Sequence, residues 1–238
     1  MTEQIEAFKN KKSYTLADIR ELVEILRSEN GCAWDREQTH ASVRNAMIEE
    51  TYEFIEGLDK NDLSLMKEEL GDVLFQVFFH ARIAEENRTF DIDEIADGIC
   101  KKMVLRHPHV FGDVTVENSA EVLKNWDTIK KSEKSRDTLE KQLESVSSAL
   151  PSLIRSEKLL SRCKREGVPV ERDPQRLIEA IHEKAAKLTP QSDSAQIGEL
   201  LFLVANLSYA LKVNSEQALY EYNNRFVQRT VEENKESE

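Results

Sequence analysis

Residues 47–79 read MIEETYEFIEGLDKNDLSLMKEELGDVLFQVFF, and this stretch decides the fold. Two helix-like runs flank Asn61-Asp62, a pair of residues that favours turns over helix interiors. Each run carries a pair of carboxylates three residues apart, Glu50/Glu53 and Glu69/Asp72, and Glu49 stands beside the first pair. Three residues is close to one helical turn, so each pair projects from one helix face. A short connection makes the two helices antiparallel neighbours, and four acidic heads then converge. Like charges at ~4 Å repel by about 4 kcal/mol per pair at an effective dielectric near 20. A folded chain keeps such a cluster when a cation sits in it, and hard divalent ions with oxygen ligands, Mg²⁺ above all, suit it. The plainer alternative is a solvated acidic face. Location argues against that alternative, because Glu50 lies between Met47 and Phe54 and Asp72 lies inside LGDVLFQVFF, where an uncompensated charge is expensive.

Outward from this hairpin the chain reads as helix throughout. Gly (7) and Pro (5) are scarce among 238 residues and 39% are hydrophobic, which favours a packed all-α protein. Thr15 is placed to cap a helix running to about Glu29, closed by Gly31. A loop, Cys32-Ala33-Trp34-Asp35, leads to a helix over roughly Thr39–Leu58 with Val43, Met47, Phe54 and Leu58 as its inner stripe. The next spans roughly Asp62–Glu86, with Leu65, Leu70, Val73, Val77 and Ile83 as buried candidates. Asp91 or Asp93 starts a fourth helix that stops before Pro108. A fifth covers about Ser119–Lys134, and the charged, serine-rich stretch 132–148 reads as a linker or an exposed helix.

An internal repeat follows. ELGDVLFQV (69–77) aligns with QIGELLFLV (196–204), MIEETYE (47–53) with LIEAIHE (177–183), and KKMVLR (101–106) with NRFVQR (224–229), in the same order. One helical unit is used twice. The second copy has lost much of its acid set: Glu50 becomes Ala180, Glu69 becomes Gln196, Asp72 becomes Glu199, and only Glu53 has an unchanged match, Glu183. The expected layout is therefore a first unit over 1–135 that keeps the full acid set, a linker over 136–150 and a degenerate unit over 151–238.

Charge and cysteine usage exclude several function classes. A net charge of -12 disfavours nucleic-acid polymers and anionic membranes as partners. Cys32, Cys100 and Cys163 are far apart and form no C-x-x-C pair, so neither a disulfide framework nor a zinc site is expected, and a reducing cytoplasm fits. The first residues, MTEQIEAFKNKKSY, hold no apolar signal core, and the longest greasy run, Val73–Phe79, is too short to cross a bilayer. No G-x-x-x-x-G-K-[ST], G-x-G-x-x-G or G-x-S-x-G motif occurs. If phosphate is handled, carboxylate-bound metal handles it.

Cations complete the candidate site. Lys101, Lys102 and Arg106 precede Pro108, and Lys130 and Lys131 follow Trp126. Lys102/Arg106 and Trp126/Lys130 are i,i+4 pairs, each sharing a helix face, and a phosphate chain needs such donors beside its metal. Solvated surface charge is the competing explanation for any one lysine. Trp34 and Trp126 can stack on a base or staple a loop to the core. His107-Pro108-His109 reads better as a helix stop than as a transition-metal site. Glu37–His40 and Glu179–His182 have the ligand spacing of di-iron bundles, but stand at a helix start and in the degenerate copy.

The string EETYE (49–53), fifteen residues, then ELGD (69–72) resembles the MazG signature EExxE…ExxD. CAWDREQTH (32–40) and RHPHVFGD (106–113) resemble that family's flanking segments. The resemblance covers about residues 15–131 strongly and 150–232 weakly. It implies two tandem all-α MazG-like units and a Mg²⁺-dependent nucleoside triphosphate pyrophosphohydrolase, with Mn²⁺ able to substitute. Such enzymes cut between the α- and β-phosphates and serve nucleotide-pool control, usually as homodimers. Position by position, Glu50, Glu53, Glu69 and Asp72 match the metal ligands and Glu49 the adjacent acid. Lys102, Arg106, Trp126 and Lys130 match residues that meet the nucleotide. The departures, Ala180, Gln196 and Glu199, assign catalysis to the first repeat. The alternative class is a non-catalytic helical interaction module with a relic metal site.

Overall fold

A computed structural model describes residues 2–133 and 138–235. Among them the only regular secondary structure is helical, as the composition implies. The expected helix end at Lys134 and linker start at 136 lie outside the described residues. The chain divides into two compact units, Met1–Trp126 and Asp127–Glu238.

The first unit opens with α1 (Thr2–Lys9) and α2 (Leu16–Arg27). Thr15 starts α2 as expected: the Asp18 carboxylate accepts from its backbone N–H at 2.7 Å and from its hydroxyl at 2.8 Å. The chain then doubles back so tightly that a Cβ on Gly31 would lie 2.1 Å from the Ile25 carbonyl oxygen; only glycine fits. A short α3 (Ala33–Glu37) follows. The next helix starts later than the periodicity predicts, because Thr39 and Ser42 close a reciprocal turn, each backbone N–H donating to the other's hydroxyl at 2.9 and 3.2 Å. Helix proper is α4 (Arg44–Lys60). Asn61 in the left-handed region (φ 53°) ends it, and the Asp62 side chain accepts from the N–H groups of Ser64 and Leu65 to start α5 (Leu63–Glu86). Two residues thus make the hairpin, and Gly57, whose added Cβ would stand 3.0 Å from the Met66 nitrogen, lets the helices close at its tip.

The core of this unit is Val23, Val43, Phe79 and Ile83, with Phe75 and Phe78 against it. Leu58 and Leu70, expected inside, are half exposed. The buried faces run through Gly57 on α4 and through Glu69, Gln76, Phe79 and Ile83 on α5; one residue further along turns the side chain by about 100° away from that line. Arg27 fastens α2 to α5. Its buried guanidinium meets Glu86 at 2.7 Å, donates to the Asp35 carbonyl at 2.5 Å and lies over the Phe79 ring. Next come α6 (Ile92–Arg106), begun by an Asp91–Glu94 capping box, α7 (Pro108–Phe111), and α8 (Ser119–Glu133), which crosses into the second unit.

In the second unit, α9 (Leu139–Glu144) and α10 (Ser152–Arg165) precede a hairpin of α11 (Pro174–Ala186) and α12 (Ser194–Ala210), then α13 (Ser215–Lys235). The three blocks aligned in sequence fall on α4, α5 and α6 in the first unit and on α11, α12 and α13 in the second. Leu160, Leu177 and Ala205 are its buried centre. Gln142 and Val146, in the stretch expected as linker, are also buried. The three cysteines are unpaired, and among the described residues no single helix is long and apolar enough to cross a membrane.

Candidate metal centre

The hairpin brings acids of α4 and α5 to one point. Glu50, Glu69 and Asp72 each offer a carboxylate oxygen, and these atoms lie within 4.8 Å of one another. Burial grades across the cluster: Glu69 is buried, Glu50 half-buried and Asp72 exposed. Burial pushes the Glu50 carboxyl above its ordinary range, and the charges of Asp72, Glu53 and Glu49 push the same way. Burial likewise raises Glu69, helped by Glu53, Asp72 and Glu50. Glu53 therefore stands within electrostatic reach of both, and Glu49 of Glu50.

The donor set fits a hard divalent cation. All three converging ligands are carboxylate oxygens, the chemistry that Mg²⁺, Mn²⁺ and Ca²⁺ take. Glu69 Oε2 is buried without a hydrogen-bond partner, and a buried acceptor in that condition costs about 1–3 kcal/mol unless something coordinates it. Burial and the neighbouring charges make the Glu50 and Glu69 carboxyls harder to ionise, which a dication would reverse.

Of the expected nucleotide contacts, Arg106 and Trp126 stand together. Arg106 is buried, with its guanidinium 5.4 Å over the Trp126 ring, and Trp126 meets His107 edge-on at 4.9 Å between centroids. His107 and His109 also touch, ring to ring, so that segment packs around Trp126. Lys102 is exposed on α6, and Lys130 lines a cavity within the second unit. Trp34 is exposed.

Sequence reading missed a histidine pair. His40 and His80 bring their Nδ1 atoms to 2.8 Å with rings nearly parallel, and Phe90 also stacks against His40. Burial, then the neighbouring His40, lowers the His80 pKa. Glu69, Asp72, Gln76 and His80 follow three- and four-residue steps on α5, so a polar stripe runs along one helix face from the acids to this pair. Gln76 continues it, with Oε1 buried and without a hydrogen-bond partner. Only the fold brings residues 40 and 80 together; no motif joins them.

In the second unit the corresponding hairpin has a different electrostatic plan. Lys184, aligned with Phe54, places its ammonium 2.6 Å from Glu199, aligned with Asp72. Lys187 meets Glu183 at 2.5 Å and holds that carboxyl below its ordinary range.

The model of the MazG nucleotide pyrophosphohydrolase domain matches residues 38–111, the segment that carries all five acids. A nucleoside triphosphate pyrophosphohydrolase of Escherichia coli is 36% identical over 209 residues, spanning 84% of this chain and 80% of that protein. One from Thermotoga maritima, a nucleoside triphosphate pyrophosphohydrolase/pyrophosphatase, is 38% identical over 212 residues, 87% of this chain and 81% of its own. A third, from Mycobacterium tuberculosis, is 34% identical over 167 residues, 69% of this chain and 50% of that one.

Proposed function

The chain belongs to the MazG nucleotide pyrophosphohydrolase family, and from that premise we propose that it hydrolyses nucleoside triphosphates to nucleoside monophosphate and pyrophosphate, at a Mg²⁺ centre held by Glu50, Glu53, Glu69 and Asp72. The observation that carries this reading is the meeting of three carboxylates from two helices within 4.8 Å. A bound Mg²⁺, or Mn²⁺ in its place, offsets the cluster's charge and polarises the phosphate oxygens. Glu49, one residue from Glu50 and exposed, accepts the proton of the attacking water. Lys102, Arg106, Trp126 and Lys130 are our proposed nucleotide contacts, on the positions they share with the family motif. Arg106, fixed against Trp126, offers a rigid donor for developing phosphate charge.

Catalysis belongs to the first unit in this reading. Ala180 and Gln196 remove two ligands from the second, and Lys184 already occupies Glu199. Apolar side chains left exposed on the α4–α5 hairpin, Ile48, Tyr52 and Leu70 among them, support a homodimer. Unpaired cysteines and a nucleotide substrate fit the cytoplasm. The net charge of -12 points away from nucleic-acid polymers and anionic membranes.

The test is pyrophosphate release from a mixture of nucleoside triphosphates by the full chain with Mg²⁺. Wild type is expected to turn over, and Asp72→Ala and Glu53→Ala to lose turnover by about two orders of magnitude or more with helical content unchanged. Full activity in either variant removes this site from the account.

A further inference from the structure

The segment His107-Pro108-His109 does more than end α6. Pro108 opens α7 at its first position, and a proline already stops the helix before it, so the stop alone places no demand on the side chain at 107. That side chain is held at two points. Its Nδ1 lies 2.6 Å from the Met103 carbonyl oxygen, in the last turn of α6. Its ring meets Trp126 of α8 edge-on, with 4.9 Å between centroids and 82° between planes. We propose that His107 is a positioning residue for the nucleotide site, one that sets where the Trp126 indole lies and how it is turned. The inference rests on the reading that Trp126 and Arg106 are nucleotide contacts.

A carbonyl oxygen only accepts, so the contact with Met103 puts a proton of His107 on Nδ1. The ring is thereby tied to the backbone of α6 and is as fixed as the end of that helix. Arg106 and His107 are consecutive, yet they take the same indole from different directions. The buried Arg106 guanidinium stands over the ring at 5.4 Å, and His107 meets it almost at a right angle. An indole held only over its face can slide and turn in its own plane; a second ring set across it removes that freedom. The chain between α7 and α8, residues 112–118, has no regular secondary structure. No tight turn therefore dictates where Trp126 arrives, and side-chain contacts with the end of α6 must do so.

The competing explanation is a helix cap, because Nδ1 satisfies a carbonyl in the last turn of α6. A cap needs a donor and no ring, whereas positioning needs the ring. Substitution separates the two. Losing an edge-on aromatic contact changes an equilibrium roughly two- to tenfold. A contact that holds the nucleotide equally well before and during the reaction acts on KM and leaves kcat alone. The expected signature is therefore a weakened KM at a nearly constant kcat, and it must vanish once the indole itself is gone.

Pyrophosphate release by the full chain with Mg²⁺ is measured against adenosine triphosphate concentration. His107→Ala and His107→Asn should raise KM roughly two- to tenfold and keep kcat within about twofold. His107→Phe, which keeps a ring without the Nδ1 donor, should recover most of the wild-type KM. In a Trp126→Ala background His107→Ala should add nothing, because it acts through the indole. A second measurement needs no turnover. With Trp34→Phe, Trp126 is the one remaining of the two tryptophans, and His107→Ala should raise its quenching by acrylamide in nucleotide-free protein. Urea midpoints check that the variants fold, and His107→Asn, which keeps a capping donor, carries the test should His107→Ala not fold. Wild-type KM in His107→Asn, additive losses with Trp126→Ala, or unchanged quenching each overturns this inference and leaves the hydrolase reading standing. An inactive wild type overturns the hydrolase reading and this one with it.

Discussion

Replacing Glu50 by Gln should make the metal-free protein more stable and the metal-loaded protein relatively less so. The Glu50 oxygen lies within 4.8 Å of oxygens on Glu69 and Asp72. At that separation each pair of charges repels by about 3.5 kcal/mol at an effective dielectric of 20 and about 0.9 kcal/mol in water. Asp72 is exposed and Glu69 buried, so the two pairs sit toward opposite ends of that range. After discounting for solvent screening and for the raised pKa values of Glu50 and Glu69, neutralising Glu50 should gain ~1–3 kcal/mol in EDTA. Glutamine keeps the volume and a carbonyl acceptor, so packing contributes little to the difference. With Mg²⁺ at a hundred times its dissociation constant the wild type gains ~2.7 kcal/mol by linkage. The variant, one ligand short, gains a fraction of that. Urea denaturation of both proteins, in EDTA and in excess Mg²⁺, reads both quantities, and the order of midpoints narrows or reverses between the two conditions. A variant less stable than wild type in EDTA, or stabilised by Mg²⁺ as much as wild type, would refute the claim that these charges share one cation.

Three further outcomes follow from the same geometry. Glu183→Ala should leave turnover nearly unchanged in the pyrophosphate assay, because its carboxylate is engaged by Lys187 in a unit short of metal ligands; a large loss without unfolding would make the second unit catalytic. Arg27→Ala should destabilise the chain by about 3 kcal/mol in denaturant, since it leaves Glu86 with Arg82 as its remaining cation and takes a donor from the carbonyls of Asp35 in α3 and Gln38 at its end; a change within experimental error would show that α2 is held by apolar packing alone. His80 has a folded pKa below its ordinary 6.5, so the unfolded chain takes up the proton first. The stability it contributes is present above pH 6.5 and is lost as pH falls through the lowered value. His80→Phe should flatten that part of the stability–pH curve, and an unchanged slope would show that another group sets it.

The hairpin was legible in sequence because three local signals agree there. Asn61-Asp62 mark the turn, the acids keep helical spacing, and the apolar residues around them make uncompensated charge expensive. Asn61 does adopt the left-handed conformation and Asp62 does cap α5. Local signals also misled. Periodicity starts the second long helix at about Thr39, but reciprocal hydrogen bonds between Thr39 and Ser42 delay it to Arg44. Leu58 and Leu70 looked buried because hydrophobicity alone does not say which of two adjacent apolar rows a neighbouring helix covers. The His40–His80 pair depends on residues far apart in sequence, and periodicity does not carry it.

The two hairpins make the strongest case that charge balance shapes this chain. Each packs two antiparallel helices with acids at matching positions, and each must deal with the resulting repulsion. The second does so internally: two acids are gone, and a lysine at the position of Phe54 reaches Glu199 at 2.6 Å. The first keeps its acids and has an apolar residue at that position, so no lysine from position 54 reaches them. A hairpin that only needed to fold could have adopted the internal solution. Keeping three carboxylates within 4.8 Å, with one buried oxygen lacking a hydrogen-bond partner, sacrifices stability in the metal-free state. That sacrifice is intelligible where a dication and the phosphates it carries are the intended occupants.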